Sequence, residues 1–161
     1  MTMFKHGLIP LVLTYLVALV LMVMPMPASI DVYRPDWVTL VLLYWIIALP
    51  HRVSLGTALV LGVLTDILLG SVLGVHALGM VVVSYFAARH FQRIRNFSLP
   101  QQVILIAFLI LIKRLIVFQA NVFIHDAQFT SSYFWPALTS ALFWFWLFPL
   151  LRKIRRRFGV V

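Results

Sequence analysis

Six apolar runs follow one another along the chain, and short polar segments separate them. A helix that crosses a bilayer needs about 20 apolar residues. The second run, residues 37–49, would extend only about 20 Å as a helix, which is short for a crossing. The pattern predicts an all-α integral membrane protein, a six-helix transmembrane bundle forming one domain of residues 1–161, with helices near 8–26, 36–50, 54–70, 72–90, 101–124 and 133–152.

Composition narrows the class of protein. Hydrophobic residues make up 63% of the chain and charged residues 11%, whereas soluble domains carry about 45–50% and about 25%. A soluble core of this size could not cover that apolar surface, and disorder requires low hydrophobicity. A soluble enzyme and a disordered chain are therefore excluded. The chain has no cysteine, which excludes disulfide and thiolate chemistry.

The basic residues predict the orientation. The formal net charge is +9, and the positive charges cluster between apolar runs, as in cytoplasmic loops that face anionic lipids, rather than in a nucleic-acid site. With both termini cytoplasmic, the outer side holds Arg34 alone. Because both termini lie on the same side, the number of crossings must be even. The count is six, or four if the second and third runs form a re-entrant pair. Ten basic residues then lie inside: Lys5, Arg52, Arg89, Arg93, Arg95, Arg152, Lys153, Arg155, Arg156 and Arg157.

The third run carries a stripe that recurs every four residues: Ala58, Gly62, Asp66 and Gly70. Small residues at this spacing let another helix approach closely, so we expect the stripe to face protein. Asp66 is the carboxylate inside an apolar run, and two interpretations are open: a proton or cation site, or a structural ion pair or cap. Its expected donors are the turn of residues 70–74, His76 or Arg114. His76 itself suits a hydrogen-bonded structural role better than a relay.

Lys113 and Arg114 interrupt the middle of the fifth run. Charges at that depth are costly and face protein or water. Three interpretations are open: internal pairing, for which Asp66 is one partner; contact with a partner protein or lipid head group; or a pocket for an anionic ligand. Ser98, just before this run, is a predicted N-cap.

The loop before the second run is expected to be ordered, because Pro35 fixes its own φ and restricts Arg34 to extended conformations. Arg34 is expected to pair with an aspartate (Asp31, Asp36 or Asp126) or with a partner protein. Trp37 at one end of the second run, and Tyr44 and Trp45 near the other, are predicted interfacial anchors.

Catalysis finds no support. The sequence lacks the Gly-x-Ser-x-Gly, His-Glu-x-x-His and phosphate-binding glycine motifs, so we expect no catalytic, cofactor or metal site.

Several segments in order resemble the bacterial rod shape-determining protein MreD family. The likeness covers nearly the whole chain and is densest over residues 34–76. Lys113 and Arg114 lie outside the family pattern. The residues that carry it are Arg34-Pro35-Asp36-Trp37-Val38, Leu43-Tyr44-Trp45, Leu49-Pro50-His51-Arg52-Val53, Gly56, Gly62, Asp66, Gly70-Ser71-Val72-Leu73-Gly74-Val75, Gln101-Gln102 and Val117-Phe118, with the basic tail.

The resemblance implies a non-enzymatic inner-membrane subunit of the cell-elongation complex. Its implied partners are the single-span protein MreC, the glycosyltransferase RodA with its penicillin-binding transpeptidase, and, indirectly, the actin-like MreB. The implied fold is similar to the substrate-binding subunits of energy-coupling-factor transporters. The alternative function is a small-molecule-binding subunit of an uptake system. The residues alone favour neither function, and the resemblance favours the first.

Overall fold

The computed structural model describes residues 3–126, 128 and 130–160, and this part of the chain is helical without strands. A 3₁₀ turn, Ser131–Phe134, precedes the last helix. The α-helices are α1 (Met3–Val23), α2 (Ala28–Asp31), α3 (Trp37–Ala48), α4 (Leu55–Leu69), α5 (Val75–Arg89), α6 (Phe91–Asn96), α7 (Leu99–His125) and α8 (Trp135–Arg157).

Helix length divides the described helices into two groups. Residues 99–125 and 131–157 each form a helical stretch of 27 residues, long and apolar enough to cross a membrane. The shorter apolar helices are residues 7–23 of α1, α3, α4 and α5. Each predicted helix coincides with one of these six. The helix predicted from residue 72 begins at Val75, because Gly70 (φ 66°) and Gly74 (φ 100°) hold the preceding turn in left-handed conformations.

Helix α3 is the centre of the fold. Every residue from 38 to 47 is buried, and α1, α5, α6 and α8 pack around the helix. The prediction that Tyr44 and Trp45 are interfacial anchors is therefore wrong: their exposed fractions are 2% and 0%. The Trp45 indole donates a 2.9 Å hydrogen bond to Oγ1 of Thr14 in α1. A helix that is apolar on all sides is stable where neighbours enclose it.

The short helix α6, which the sequence pattern missed, closes the end of α3. Arg95 donates to the carbonyl oxygens of Ile47 (2.7 Å) and Ala48 (3.2 Å), which α3 itself leaves without donors. Ser98 is the N-cap of α7, as predicted, and its N–H donates to Oε1 of Gln101 at 3.1 Å. Arg95 of α6 thus stabilises the end of α3.

Candidate functional site

Asp66 ties α4 to the beginning of α5. Its side chain is fully buried. Oδ1 accepts hydrogen bonds from Oγ of Ser71 (2.8 Å) and the N–H of His76 (3.0 Å), and Nδ1 of His76 lies 2.8 Å away. Oδ2 accepts from the N–H of Gly74 at 2.8 Å. Both carboxylate oxygens are therefore occupied by the turn and by the first residues of α5.

This arrangement is a helix cap supplied by a neighbouring helix. The first N–H groups of a helix have no partner within it, and a negative charge at that end also interacts favourably with the helix dipole. The donors include two of those predicted from the sequence, the turn and His76, whereas Arg114 makes no described hydrogen bond to Asp66. The contacts match the structural interpretation of Asp66.

The small-residue stripe faces protein over three of its four positions. Ala58, Gly62 and Asp66 are buried. A Cβ built on Gly62 would lie 2.8 Å from the backbone nitrogen of Ala77 in α5, so only glycine allows this approach. Gly70, in contrast, is exposed. It ends α4 with two backbone bonds, Gly70 to Ile67 and Ser71 to Asp66, which form a Schellman motif.

Lys113 pairs with Asp36 rather than with Asp66. Its Nζ lies 2.5 Å from Oδ2 of Asp36 and 2.8 Å from Oγ1 of Thr39, and the Lys113 side chain is 3% exposed. The backbone N–H of Asp36 donates to Oγ of Ser140 at 2.9 Å. This cluster connects the start of α3 to α7 and α8. Of the three interpretations given for Lys113, internal pairing is the one its contacts fit.

A second glycine makes room for this cluster. A Cβ on Gly79 of α5 would lie 2.9 Å from Cγ of Lys113. The lysine stem therefore crosses the α5 backbone on its way to Asp36. Sequence reasoning did not single out Gly79, Thr39 or Ser140, because a lone glycine or hydroxyl in an apolar run carries no spacing signal that separates it from ordinary packing.

Arg34 caps the end of α1. It donates to the carbonyl oxygens of Met22 and, at 2.5 Å, Met24. It also forms an ion pair of 2.9 Å with Asp31, one of the expected aspartates. Arg34 lies near the start of α3 but bonds the end of α1 and pairs with Asp31 of α2, whereas Asp36 is engaged by Lys113.

Arg114 faces a polar cavity instead of a carboxylate. Its Nη1 donates to the Tyr133 carbonyl oxygen at 3.2 Å, and its guanidinium lies 5.1 Å from the centre of the Tyr133 ring. The cavity has a volume of about 380 Å³ and lies among α1, the loop before α3, α4, α5, α7 and the start of α8. Its acidic, basic and histidine lining residues are Asp31, Arg34, Asp36, His76, Lys113 and Arg114.

The remaining four residues that were singled out from the sequence lie at the two ends of α3. Pro35 is buried in the loop before α3. Trp37 is partly buried and its ring makes a T-shaped contact with Phe143 of α8, with ring centres 5.0 Å apart. Pro50 and Arg52 lie in the turn between α3 and α4, the first half-buried and the second exposed.

Comparison with known proteins identifies the family. The family described as rod shape-determining protein MreD matches residues 3–154. The rod shape-determining protein MreD of Haemophilus influenzae is 40% identical over 143 residues, which cover 89% of this chain and 88% of that relative. No solved structure matches the chain. A match of this length and identity leaves one conclusion: the chain belongs to the MreD family of rod shape-determining proteins, membrane proteins with a role in cell shape.

Proposed function

We propose that this protein is a non-enzymatic inner-membrane scaffold of the cell-elongation complex, which binds MreC and helps to regulate lateral peptidoglycan synthesis. The family match over residues 3–154 carries the proposal. The contacts of the aspartates support it: Asp31, Asp36 and Asp66 are each engaged by a cation or by hydrogen-bond donors. Groups held in this way stabilise a fixed bundle.

The proposed topology has six crossings with both termini in the cytoplasm. The asymmetry of the basic residues supports it. A reporter that is active only in the periplasm, fused to the C-terminus, should give no signal. The same reporter inserted between α7 and α8, near Gln128, is the matched control and should be active. A bright C-terminal fusion would contradict the even number of crossings.

The proposed direct partner is MreC. RodA and its transpeptidase join the same complex, and MreB acts indirectly. The basic tail, residues 152–157, also attracts anionic lipids, by about 1 kcal/mol per residue near the surface. Detergent pulldown with this protein as bait should recover MreC. Recovery of an ATPase module without MreC would instead indicate an uptake subunit and overturn the proposal.

Photo-crosslinking can locate the MreC contact. Three strongly exposed residues lie on three different helices: Val20 on α1 (67% exposed), Ile104 on α7 (71%) and Leu142 on α8 (68%). A photoreactive residue at each position should crosslink MreC from one or two helices only. Val83 of α5, which is fully buried, is the control and should give no crosslink. Absence of MreC crosslinks from all exposed helix faces would contradict direct binding.

A further inference from the structure

The polar cavity has more positive charge than its own carboxylates neutralise. Its lining contains Arg34, Lys113 and Arg114 but only Asp31 and Asp36. Asp31 pairs with Arg34, and Asp36 pairs with Lys113. No carboxylate among the described residues forms an ion pair with Arg114. The lining residues therefore carry one positive charge in excess; the Asp66 carboxylate lies outside the lining, behind His76, and is engaged by the turn and the start of α5.

Two guanidinium groups of the cavity also have an unused donor. Nε of Arg34 and Nε of Arg114 are buried and have no hydrogen-bond acceptor. A buried donor without an acceptor is unfavourable, and more so on a charged group. Arg114 lies 11 residues before the end of α7, roughly 17 Å along the helix, but it is level with the start of α3 and the end of α4, because Asp36 and Leu69 line the same cavity. An anionic group in the cavity would neutralise the excess positive charge and would supply acceptors for the two Nε donors.

An apolar groove lies next to the cavity. It is shallow and open, lies between α1 and α4, and is lined on the two helices by Leu16, Leu19, Val20, Val23 and Leu68, with Met24 and Pro25 at one end. Met22 and Leu69, the chain neighbours of Val23 and Leu68, line the polar cavity. A polar cavity with excess positive charge thus adjoins a groove of hydrocarbon character.

We propose that this composite site binds one anionic phospholipid. Its phosphate lies in the cavity, where Arg114 and Arg34 donate charge-assisted hydrogen bonds to the phosphate oxygens, and one acyl chain lies in the α1–α4 groove. The cavity is at the end of the bundle opposite the basic residues of α6 and the C-terminal tail, so this site is separate from the lipid attraction proposed for the tail. The proposal does not depend on MreC binding.

The test uses the full-length protein, delipidated in detergent, and native mass spectrometry with added phosphatidylglycerol or phosphatidylcholine. We expect tighter binding of phosphatidylglycerol, and we expect Arg114→Gln to weaken it by about tenfold or more, as for loss of a charge-assisted hydrogen bond. Arg89→Gln removes an exposed arginine that bonds Tyr85 outside the cavity and is the matched control.

A second pair of variants tests the acyl chain. Leu68→Trp fills the α1–α4 groove and should also weaken phosphatidylglycerol binding. Leu78→Trp changes a similarly exposed leucine outside the groove and should not. Since Leu68→Trp leaves every charged residue in place, it tests the site even if Arg114→Gln lowers the yield of folded protein.

Four outcomes would overturn the proposal. Equal binding of phosphatidylglycerol and phosphatidylcholine would show that the site does not select an anionic head group. Equal effects of Arg114→Gln and Arg89→Gln on phosphatidylglycerol binding would show that the lipid does not bind in the cavity. Displacement of the lipid by millimolar inorganic phosphate, with no effect of Leu68→Trp, would identify a free phosphate compound as the ligand. Capture of an acidic partner segment through Arg114 without any bound lipid would make the cavity a protein-binding site.

Discussion

The close approach of α4 and α5 at Gly62 predicts a position that is sensitive to added volume. Gly62 of α4 faces the backbone of Ala77 in α5, and a Cβ there would lie 2.8 Å from the Ala77 nitrogen and 2.9 Å from the Ala77 Cβ. Both neighbours are part of a helix rather than the flexible end of a side chain. Even the smallest substitution, Gly62→Ala, must therefore push α4 and α5 apart.

The expected loss of stability can be worked from this contact. Alanine in a helix is intrinsically more stable than glycine by about 0.5–1 kcal/mol. Extra volume in a packed site is unfavourable by about 1–3 kcal/mol. Ala77 follows His76, whose N–H is one of the donors to Asp66, so separation of the helices also lengthens the bonds of this cap. We expect a net destabilisation of about 1–2 kcal/mol for Gly62→Ala and more for Gly62→Leu.

The assay is reversible unfolding of the purified protein in mixed micelles. Gly56→Ala is the matched control, because Gly56 lies in the same helix but a Cβ there would meet only Oγ of Ser54, at 3.4 Å. This control should be neutral or slightly stabilising. If Gly62→Ala unfolds at the same denaturant concentration as Gly56→Ala, the close approach of α4 and α5 does not support the bundle and the reasoning is wrong.

Three polar contacts give further predictions. Lys113→Met should destabilise the protein by about 3–5 kcal/mol because it leaves the Asp36 carboxylate buried without its cation; adding Asp36→Asn should restore part of the loss, and strictly additive losses in a double-mutant cycle would contradict the pairing. Asp66→Asn replaces one acceptor oxygen by a donor, so one N–H of the turn loses its partner; we expect intermediate stability and cell shape, with Asp66→Leu more defective, and normal rod growth of Asp66→Leu would refute the cap. Arg34→Ala should lower the stability of the isolated protein by about 1–3 kcal/mol; loss of complex assembly with unchanged stability would instead place Arg34 at a partner surface.

The apolar runs were sufficient to place the six longer helices, because an apolar run of this length can satisfy its backbone hydrogen bonds in a membrane only by forming a helix. Their ends were less well predicted. Residue 72 was expected within a helix, and the left-handed Gly74 moves that start to Val75. Helix α6 was hidden by its basic residues, which indicate a loop by composition although Arg95 makes a specific contact with the end of α3.

The sequence predicted which charged residues form the candidate site better than it predicted which residues they pair with. Asp66, Lys113 and Arg34 stood out because charges are rare in apolar runs. Their partners depend on which helices are neighbours, which periodicity along one helix does not specify. Lys113 was considered as a partner for Asp66, yet the arrangement of α3 against α7 gives it Asp36. Trp45 was misplaced for the same reason, since an aromatic residue near a helix end suits an interface and a core equally.

The short helices explain why these charges are present. Helices α3, α4 and α5 have 12–15 residues, or roughly 18–22 Å, less than the ~30 Å hydrocarbon core of a bilayer. Their ends expose backbone groups where water is scarce, and each such group must find a partner. At the start of α5, Asp66 accepts backbone hydrogen bonds, and at the end of α3, Arg95 donates to a carbonyl oxygen. At the start of α3, the backbone N–H of Asp36 donates to Ser140. Lys113 then neutralises Asp36 at that same start. The buried charges of the apolar runs therefore follow from the lengths of the helices whose ends they satisfy. Arg114 satisfies no end of α3, α4 or α5, and for this reason we propose an anionic ligand for it.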